Sequence, residues 1–268
     1  MQMQKSLKAL QAANIVAFVA TIVVNTLAST VGINGSQTGA LSDSIPNLFV
    51  PSGLTFSVWG VIYIFLLLFT VFQSRGLFST RRECPPLVAR IGWLFTLASA
   101  ANIGWLLLWH WRQVAWSQLV MLALLTCLIA IYLRLGTGRT AATPAERWFV
   151  RIPFSIYLGW ITVATIANAT AMLVKAGWNG FGVAPEVWTV GVIAAALIIT
   201  LIVLATRRDT AYALVVTWAL AGIALKRSAD TSPASRAVGI AAMAAAAIVV
   251  VGIAVVALRS MLVVRQRR

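Results

Sequence analysis

The sequence predicts an all-α integral membrane protein, and three observations support that fold class. Of the 268 residues, 60% are hydrophobic and only 10% are charged. The mean hydropathy is +0.91, which a soluble domain of this size could reach only with a mostly apolar surface. The chain also contains eight apolar stretches, each close to the ~20 residues that cross a bilayer as a helix. Polar connections separate these stretches, as in a multi-pass protein.

Each apolar stretch is predicted to be a transmembrane helix. The first could alternatively be a cleaved signal peptide, because Lys5 and Lys8 precede it. Its length and its two asparagines, Asn14 and Asn25, favour an uncleaved helix. The eight predicted helices lie near Ala12–Ser29, Thr55–Phe72, Ile91–Trp111, Gln118–Leu133, Ile152–Val174, Val187–Ala205, Ala211–Leu225 and Val238–Leu258.

Basic residues are distributed unevenly between the two sides of the predicted membrane. The two tails and the even-numbered connections carry 16 of the 21 Lys and Arg residues, and the odd-numbered connections carry five. Because basic loops remain in the cytoplasm, both termini are predicted to be cytoplasmic. The same bias and the missing transit peptide predict the plasma (inner) membrane. The uneven distribution of basic residues also explains the net charge of +15. No nucleic-acid partner is needed, since the charges lie between apolar segments.

Ionisable residues are absent from the interior of the predicted helices. All six acidic residues fall in connections or at helix ends, and no Lys or Arg lies deep in an apolar stretch. Ion-coupled transporters usually hold such residues at membrane depth, so ion coupling is disfavoured. No acid–base pair is present, and no Cys or His spacing is typical of a metal site. We therefore expect no catalytic residues, no metal and no required cofactor, and we interpret His110 as a bystander.

The first connection, about residues 30–54, is the longest and contains no Lys or Arg. It is rich in Gly, Ser and Asn and includes Pro46 and Pro51. In a compact membrane protein, such a loop either covers a site as a lid or is a flexible surface loop. The sequence leaves both interpretations open.

Tryptophan is abundant, with 11 residues in the chain. A buried indole N–H needs an acceptor, which in lipid is available only on another helix, in a cavity or on a ligand. Six tryptophans lie near helix ends, where an interfacial aromatic belt is expected: Trp93, Trp111, Trp116, Trp148, Trp178 and Trp188. The five inside predicted helices are Trp59, Trp105, Trp109, Trp160 and Trp218.

Several of these aromatic residues share a helix face with a polar residue, because they are three or four positions apart. Such stripes predict either a ligand pocket or hydrogen bonds that hold neighbouring helices together. A small residue within a stripe allows a helix or a flat ligand to approach closely. Trp59 and Tyr63, which form one such pair, could also be ordinary interfacial anchors. The stripes are Trp59 with Tyr63, Asn102 with Trp105, and Trp160 with Ala164 and Asn168.

These residues resemble the motifs of the tryptophan-rich sensory protein family, also called TspO or translocator protein. That family has a Pro-containing loop followed by Phe…Val-Trp-x-x-hydrophobic-Tyr at its second helix, Asn-x-x-Trp on its third, and Pro, Trp, Ala and Asn on its fifth. Here the three motifs fall in that order within Ala12–Val174. The matching residues are Pro51, Phe56, Val58, Trp59, Ile62 and Tyr63; Asn102, Trp105 and Trp109; and Pro153, Trp160, Ala164 and Asn168.

The resemblance implies a TspO-like five-helix bundle over residues 1–175, followed by an additional three-helix transmembrane segment over residues 176–268. The chain therefore resembles a long branch of the family. It departs from the family pattern at Ser57, where a proline often precedes Val-Trp, and at Phe56, which is one residue closer to the tryptophan.

The resemblance also implies a pocket among the first, second, third and fifth helices, roofed by the first loop. Family members bind porphyrins and other tetrapyrroles, and some bind sterols or drug-like aromatics. The expected partners are therefore the lipid bilayer and a small planar hydrophobic ligand such as a porphyrin. Homodimers occur in the family, so a homodimer is a further expectation. The implied ligand-binding residues are Phe56, Trp59, Tyr63, Asn102, Trp105, Trp109, Trp160, Ala164 and Asn168.

Three functions remain open from the sequence. The first is a membrane receptor or carrier-type protein that binds a planar hydrophobic ligand for sensing, sequestration or transfer. The second is a transporter or exporter of small hydrophobic molecules, which requires two access states. The third is a structural partner protein whose small-residue eighth helix, Val238–Leu258, docks another membrane protein. An enzymatic role has the least support.

Overall fold

The computed structural model describes residues 2–77 and 85–266, and within them eight long helices and three short ones form the fold. Each of the eight predicted helices corresponds to a long helix. Four single turns of 3-10 or π-helix connect or extend them: Gly53–Ser57, Ser74–Gly76, Arg147–Arg151 and Gly180–Gly182. The helices are α1 (Gln2–Thr30), α2 (Thr38–Asp43), α3 (Val58–Gln73), α4 (Pro86–Ile91), α5 (Leu94–His110), α6 (Val114–Arg134), α7 (Pro144–Glu146), α8 (Ile152–Lys175), α9 (Pro185–Arg207), α10 (Thr210–Ser228) and α11 (Pro233–Gln266).

The architecture is that of an all-α membrane protein. In the described part of the chain, six helices are long and apolar enough to cross a membrane, namely those built on α1, α3, α6, α8, α9 and α11. Helix α5 is apolar but has only 17 residues. Helix α10 has 19 residues and ends in Lys226 and Arg227. The total of eight crossings and the cytoplasmic position of the termini stay predictions.

Short polar signals define several helix ends. Thr143 and Glu146 form a capping box, in which each side chain accepts a hydrogen bond from the other residue's backbone N–H, and this starts α7 and the continuous path into α8. The Asp209 side chain accepts a hydrogen bond of 3.1 Å from the Tyr212 N–H at the start of α10. Proline occupies the first turn of α9 and of α11, where its missing N–H costs nothing.

Helix α8 lies at the centre of the bundle and packs against α3, α6 and α10. In the most apolar 18-residue stretch of the helix built on α8, 72% of the residues are buried inside the protein. In the corresponding stretch of α11, at the periphery, the share is 17%. Gly159 allows the close approach of α10, because a Cβ there would lie 2.9 Å from the Tyr212 carbonyl oxygen. The main hydrophobic core runs from α1 to α11, and a smaller cluster joins α9, α10 and α11. The division into two domains at residue 175 stays a prediction.

The outer surface of the bundle is apolar, as expected for contact with lipid. Exposed large apolar side chains are frequent on α1, α3, α9 and α11. The tryptophans predicted for an interfacial belt are exposed at five of six positions, namely Trp93, Trp111, Trp116, Trp148 and Trp188.

The two ends of the bundle differ. We call the end formed by residues 31–57, the C-termini of α1, α5, α8 and α10 and the N-termini of α3, α6, α9 and α11 the loop end. Towards the other end, Phe69, Phe95 and Phe154 from α3, α5 and α8 meet edge to face, with ring centroids 4.9 to 5.8 Å apart. All three side chains are fully buried. We refer to them as the phenylalanine cluster.

Beside the phenylalanine cluster, buried polar side chains join α1, α3 and α5. The Gln73 Nε2 donates to the Gln11 carbonyl oxygen at 3.0 Å, and the Gln11 Nε2 donates to the Gln73 carbonyl oxygen. Asn14 donates to the Gln73 side-chain oxygen at 3.2 Å and accepts from the Thr96 hydroxyl at 2.9 Å. These mutual hydrogen bonds satisfy polar groups that would otherwise be costly at this depth.

Candidate ligand site beneath the first loop

Residues 31–57 form an ordered cover over the loop end, which we call the roof. Its anchor is Phe49, whose side chain is completely buried. The Asn47 side chain donates to the Thr170 hydroxyl on α8 at 2.6 Å, and Asn34 donates to the His110 carbonyl oxygen on α5 at 3.1 Å. The sequence left open whether this loop is a lid or a flexible surface loop. The structure shows a packed cover, which favours the lid.

His110 supports the roof rather than standing free at the helix end. Its side chain is buried, and its Nδ1 lies 2.8 Å from the Leu106 carbonyl oxygen. Its Nε2 lies 3.4 Å from the Thr38 hydroxyl on α2. In the described residues, no group of His, Cys, Asp or Glu side chains is arranged to hold a metal ion. Cys84 lies outside those residues.

Helix α10 fixes the second half of the roof. The Ser52 N–H donates to the Gly222 carbonyl oxygen at 3.0 Å, and the Trp218 indole N–H donates to the Thr55 carbonyl oxygen at 3.0 Å. A Cβ on Gly222 would lie only 1.9 Å from the Thr55 hydroxyl oxygen. Only glycine therefore permits this approach of α10 to the turn that precedes α3.

A third contact links the roof to the end of α10. The Lys226 ammonium forms an ion pair with the Asp43 carboxylate at the end of α2. Both side chains are partly exposed, so this ion pair contributes little to the free energy of unfolding. It nevertheless lies at the edge of the roof, where opening would separate its two partners.

Aromatic side chains from α3, α5 and α8 converge beneath the roof. Trp59 stacks on Tyr63 with ring centroids 5.6 Å apart and on Trp105 with centroids 6.3 Å apart. Tyr157 and Trp160 meet the same indole edge to face, at 6.1 Å and 6.0 Å. Offset and edge-to-face pairs at these distances are favourable. We call this group the tryptophan cluster.

A cavity of about 50 Å³ adjoins the tryptophan cluster. We call it the aromatic cavity. The roof, α3, α5 and α8 enclose it, and none of its lining residues is charged at neutral pH. Its walls are therefore suited to apolar and aromatic groups. The lining residues are Thr38, Ser42, Val50, Pro51, Phe56, Trp59, Trp105, Trp109, Trp160, Val163, Ala164, Ala167, Asn168 and Ala171.

Seven of the nine residues predicted as ligand-binding line this cavity: Phe56, Trp59, Trp105, Trp109, Trp160, Ala164 and Asn168. Tyr63 stacks on Trp59 without lining the cavity. Asn102 is completely buried and accepts a 2.8 Å hydrogen bond from Asn25 on α1. Among the described residues, α1 contributes no lining side chain. The expectation that the first helix forms a wall is therefore wrong for this cavity, because α1 packs behind α5.

Asn168 combines the two roles that its spacing predicted as alternatives. Its side-chain oxygen accepts from the Trp105 indole N–H at 3.0 Å, and its amide donates to the Gln118 side-chain oxygen at 2.8 Å. The amide also lies 3.2 Å from the Ser117 hydroxyl. Asn168 thus holds α5, α6 and α8 together while it lines the cavity. Its hydrogen bonds also fix the orientation of Trp105.

Two indole N–H groups in the cavity wall have no acceptor. Trp109 and Trp160 are 6% and 3% exposed, and their Nε1 atoms make no hydrogen bond within the described part of the chain. The indoles of Trp105 and Trp218, by contrast, both donate. A buried donor left unpaired costs about 1–3 kcal/mol. Both residues line the cavity, but their Nε1 atoms expose less than 1 Å² each, so a ligand could accept from them only after the surrounding side chains or the roof shift.

Several lining residues were not identified from the sequence. Val163, Ala167 and Ala171 follow at four-residue steps and form the ridge beside Trp160, Ala164 and Asn168. That spacing was a usable signal. Tyr157 lies three positions before Trp160 and contacts Trp59. Thr38 and Ser42 lie four positions apart on α2, but this helix has only six residues and was not recognised in the sequence, and Val50 lies in the loop that follows it.

A model of the family described as "TSPO-like protein" matches residues 11–255. The chain belongs to the TSPO-like family. The match continues past Val174, where the motif resemblance ended, through α9 and α10 and into α11. TSPO-like membership, together with the tryptophan cluster, indicates a multi-pass membrane protein that binds a ligand, of the receptor or transporter type. No curated protein and no solved structure matches the chain.

Proposed function

We propose that this TSPO-like protein binds a planar hydrophobic molecule of the tetrapyrrole kind in the aromatic cavity, for sensing, sequestration or transfer. The unpaired indole N–H groups of Trp109 and Trp160 carry the proposal. An unpaired buried donor is costly, and a ligand that brings acceptor atoms as the roof shifts would relieve that cost.

The shape and chemistry of the walls support a flat ligand. Trp59 and Trp105 present stacked ring systems, and Trp160 stands edge-on to Trp59. Ala164 and Ala167 have small side chains in the wall that α8 contributes, so a flat ring could lie close to the helix backbone. No lining side chain carries a charge, which suits an apolar ring rather than an ion.

The cavity is smaller than a bound tetrapyrrole requires. It encloses about 50 Å³, whereas ligand pockets typically enclose about 300–1,000 Å³. Binding must therefore displace part of the enclosure. The roof is the part of the enclosure that does not belong to a long helix. Polar contacts hold it to the bundle: the hydrogen bonds of Asn34 and Asn47, the two hydrogen bonds to α10 and the ion pair of Asp43. We infer that the ligand enters as the roof lifts.

The transport alternative has less support than the binding function. Beyond the aromatic cavity, the same three helices are closed by the phenylalanine cluster, whose rings are fully buried. The mutual hydrogen bonds of Gln11 and Gln73 join α1 to α3 beside that cluster. Passage between the three helices would have to separate the phenylalanine cluster, whereas binding from the loop end leaves it intact.

The test is a titration of the purified protein with protoporphyrin IX in mild detergent, followed by tryptophan fluorescence and by thermal unfolding. We expect saturable quenching and a rise in melting temperature. Replacing Trp160 with Leu removes a ring and a donor from the cavity wall and should weaken binding by at least ~1 kcal/mol, the scale of one aromatic contact.

Trp93→Leu is the matched control, because Trp93 is exposed and lies at the start of α5, far from the cavity. It removes one indole from the fluorescence signal and should leave the affinity unchanged. Non-saturating quenching without a thermal shift in the unmodified protein would contradict the proposed function. Unchanged affinity in a folded Trp160→Leu protein would remove Trp160 from the site.

A further inference from the structure

A second and larger cavity lies at the loop end, next to the aromatic cavity. It encloses about 320 Å³, within the range of about 300–1,000 Å³ typical of ligand pockets. The roof, the end of α5, the start of α6 and the end of α8 form its walls. We call it the vestibule. Its lining residues are Leu41, Ser44, Ile45, Pro46, Trp109, Arg112, Val114, Val174 and Lys175.

Trp109 and α2 separate the two cavities. Trp109 lines both of them. On α2, Thr38 and Ser42 line the aromatic cavity, whereas Leu41 lines the vestibule. A movement of α2 of the kind that ligand entry requires would therefore join the two cavities into one.

The vestibule differs from the aromatic cavity in its charge. Arg112 and Lys175 line it, and no acidic residue does. Within the described residues, neither cation forms an ion pair with a carboxylate, and Asp43, on the neighbouring α2, is paired with Lys226. Two cations without a counter-ion beside an apolar wall form an attractive position for an anion.

One of the two cations is held in place by the backbone. The Lys175 ammonium donates to the Arg112 carbonyl oxygen at 2.7 Å, which keeps it beside the residue that carries the second cation. Arg112 itself has a φ of 59°, in the left-handed region that favours glycine at the end of a helix. The chain thus carries an arginine at a position where glycine would be the less strained residue.

We propose that the vestibule binds the carboxylate end of an amphipathic planar ligand, with Arg112 and Lys175 as its counter-ions. This inference rests on the proposed function and narrows it, because it names the class of ligand as a planar hydrophobic acid. The ring lies against the tryptophan cluster, and the carboxylate lies on the vestibule side of Trp109. One molecule would thereby contact both the apolar walls of the aromatic cavity and the cations of the vestibule.

The experiment compares protoporphyrin IX with its dimethyl ester, which keeps the ring and loses the negative charges. Affinities are measured for the full chain in mild detergent. We expect the acid to bind about three- to tenfold more tightly than the ester, the scale of partly exposed charge pairs. This preference should shrink as the salt concentration rises, because exposed charges are screened.

Two variants test the assignment to residues. Arg112→Gly removes the cation and relieves the left-handed strain, so its fold is protected. Lys175→Gln removes the second cation while keeping a polar side chain. Together they should lower the affinity for the acid to that for the ester and leave the ester unchanged. Arg236→Gln is the matched control, since Arg236 is exposed at the same end of the bundle and lines neither cavity.

Each contrary outcome identifies what has failed. Equal affinity for acid and ester in the unmodified protein would overturn the vestibule inference and leave the proposed function in place. An equal loss of both ligands in the variants would also overturn it, because the cations would then act on the structure. Binding of phosphatidylglycerol that depends on Arg112 and Lys175, without an acid preference, would assign them to a lipid phosphate instead. Failure of both porphyrins to bind would overturn the proposed function itself.

Discussion

Helices α3, α5 and α8 each contribute to two aromatic clusters, and the two clusters are built differently. The phenylalanine cluster has no polar atoms, and its rings are fully buried. The tryptophan cluster lies nearer the loop end and consists of rings with polar tips. Its central ring, Trp59, is only half-buried and adjoins a cavity. The same three helices therefore pack without a gap at the phenylalanine cluster and leave a cavity at the tryptophan cluster.

The polar side chains beside the two clusters follow the same division. Near the phenylalanine cluster, Gln11, Asn14 and Gln73 satisfy one another. At the loop end, Asn168 is satisfied, but the indoles of Trp109 and Trp160 are not. The difference teaches that aromatic content alone does not indicate a site. Unpaired polar tips beside a cavity distinguish a candidate site from a packed core.

The largest effect on the free energy of unfolding is expected from a substitution in the phenylalanine cluster. Phe154→Ala removes a fully buried ring from the phenylalanine cluster and should lower the free energy of unfolding by about 3–5 kcal/mol. Thermal unfolding in detergent measures this loss. At temperatures where the variant is folded, its affinity for protoporphyrin IX should equal that of the unmodified protein. A weaker affinity there would mean that the two clusters do not act separately.

A smaller effect is expected at the contact between the roof and α10. Gly222→Val places a side chain where Thr55 lies 1.9 Å from an ideal Cβ, and overpacking of this kind costs about 1–3 kcal/mol. Because the roof must shift, residues 50–57 should exchange backbone hydrogens faster. Gly191→Val on α9 is the control, since a Cβ there has open space around it. Equal exchange in the two variants would contradict the anchoring role of Gly222.

The smallest effect concerns the ion pair between the roof and α10. Asp43→Asn should change the free energy of unfolding by no more than about 1 kcal/mol, because the pair is partly exposed. It should nevertheless speed the association of the uncharged dimethyl ester of protoporphyrin IX at low salt, and the difference should vanish at high salt, where the ion pair is screened in the unmodified protein as well. Stopped-flow fluorescence measures the rate. Lys226→Gln should reproduce the change, and a rate that differs between the two variants would exclude the ion pair as the cause.

The sequence was sufficient for the helices and for the stripes that meet at the cavity. Apolar runs of bilayer length located all eight long helices, because burial in lipid requires an uninterrupted run of apolar residues. The four-residue spacing of Trp160, Ala164 and Asn168 identified the face of α8 that lines the cavity. That spacing is a local property of one helix, and so it can be predicted without knowledge of its neighbours.

Features that depend on distant residues could not be predicted. Asn102 and Asn168 look equivalent in sequence, but Asn102 accepts from Asn25 behind the site, whereas Asn168 lines the cavity. The need for glycine at position 222 arises only from the approach of Thr55. The vestibule was missed for the same reason, since Arg112 and Lys175 lie 63 positions apart and are joined by one hydrogen bond.

The contact between Trp218 and Thr55 joins residues 163 positions apart, and this separation affects how the protein is made. The chain leaves the ribosome from its N-terminus, so the roof and the three helices that form the tryptophan cluster are synthesised well before α10. Until α10 is inserted, the turn before α3 lacks its partners at Trp218 and Gly222. A nascent chain would thus hold the walls of the site without a fixed cover. Ligand retention would be among the last properties that the growing chain acquires.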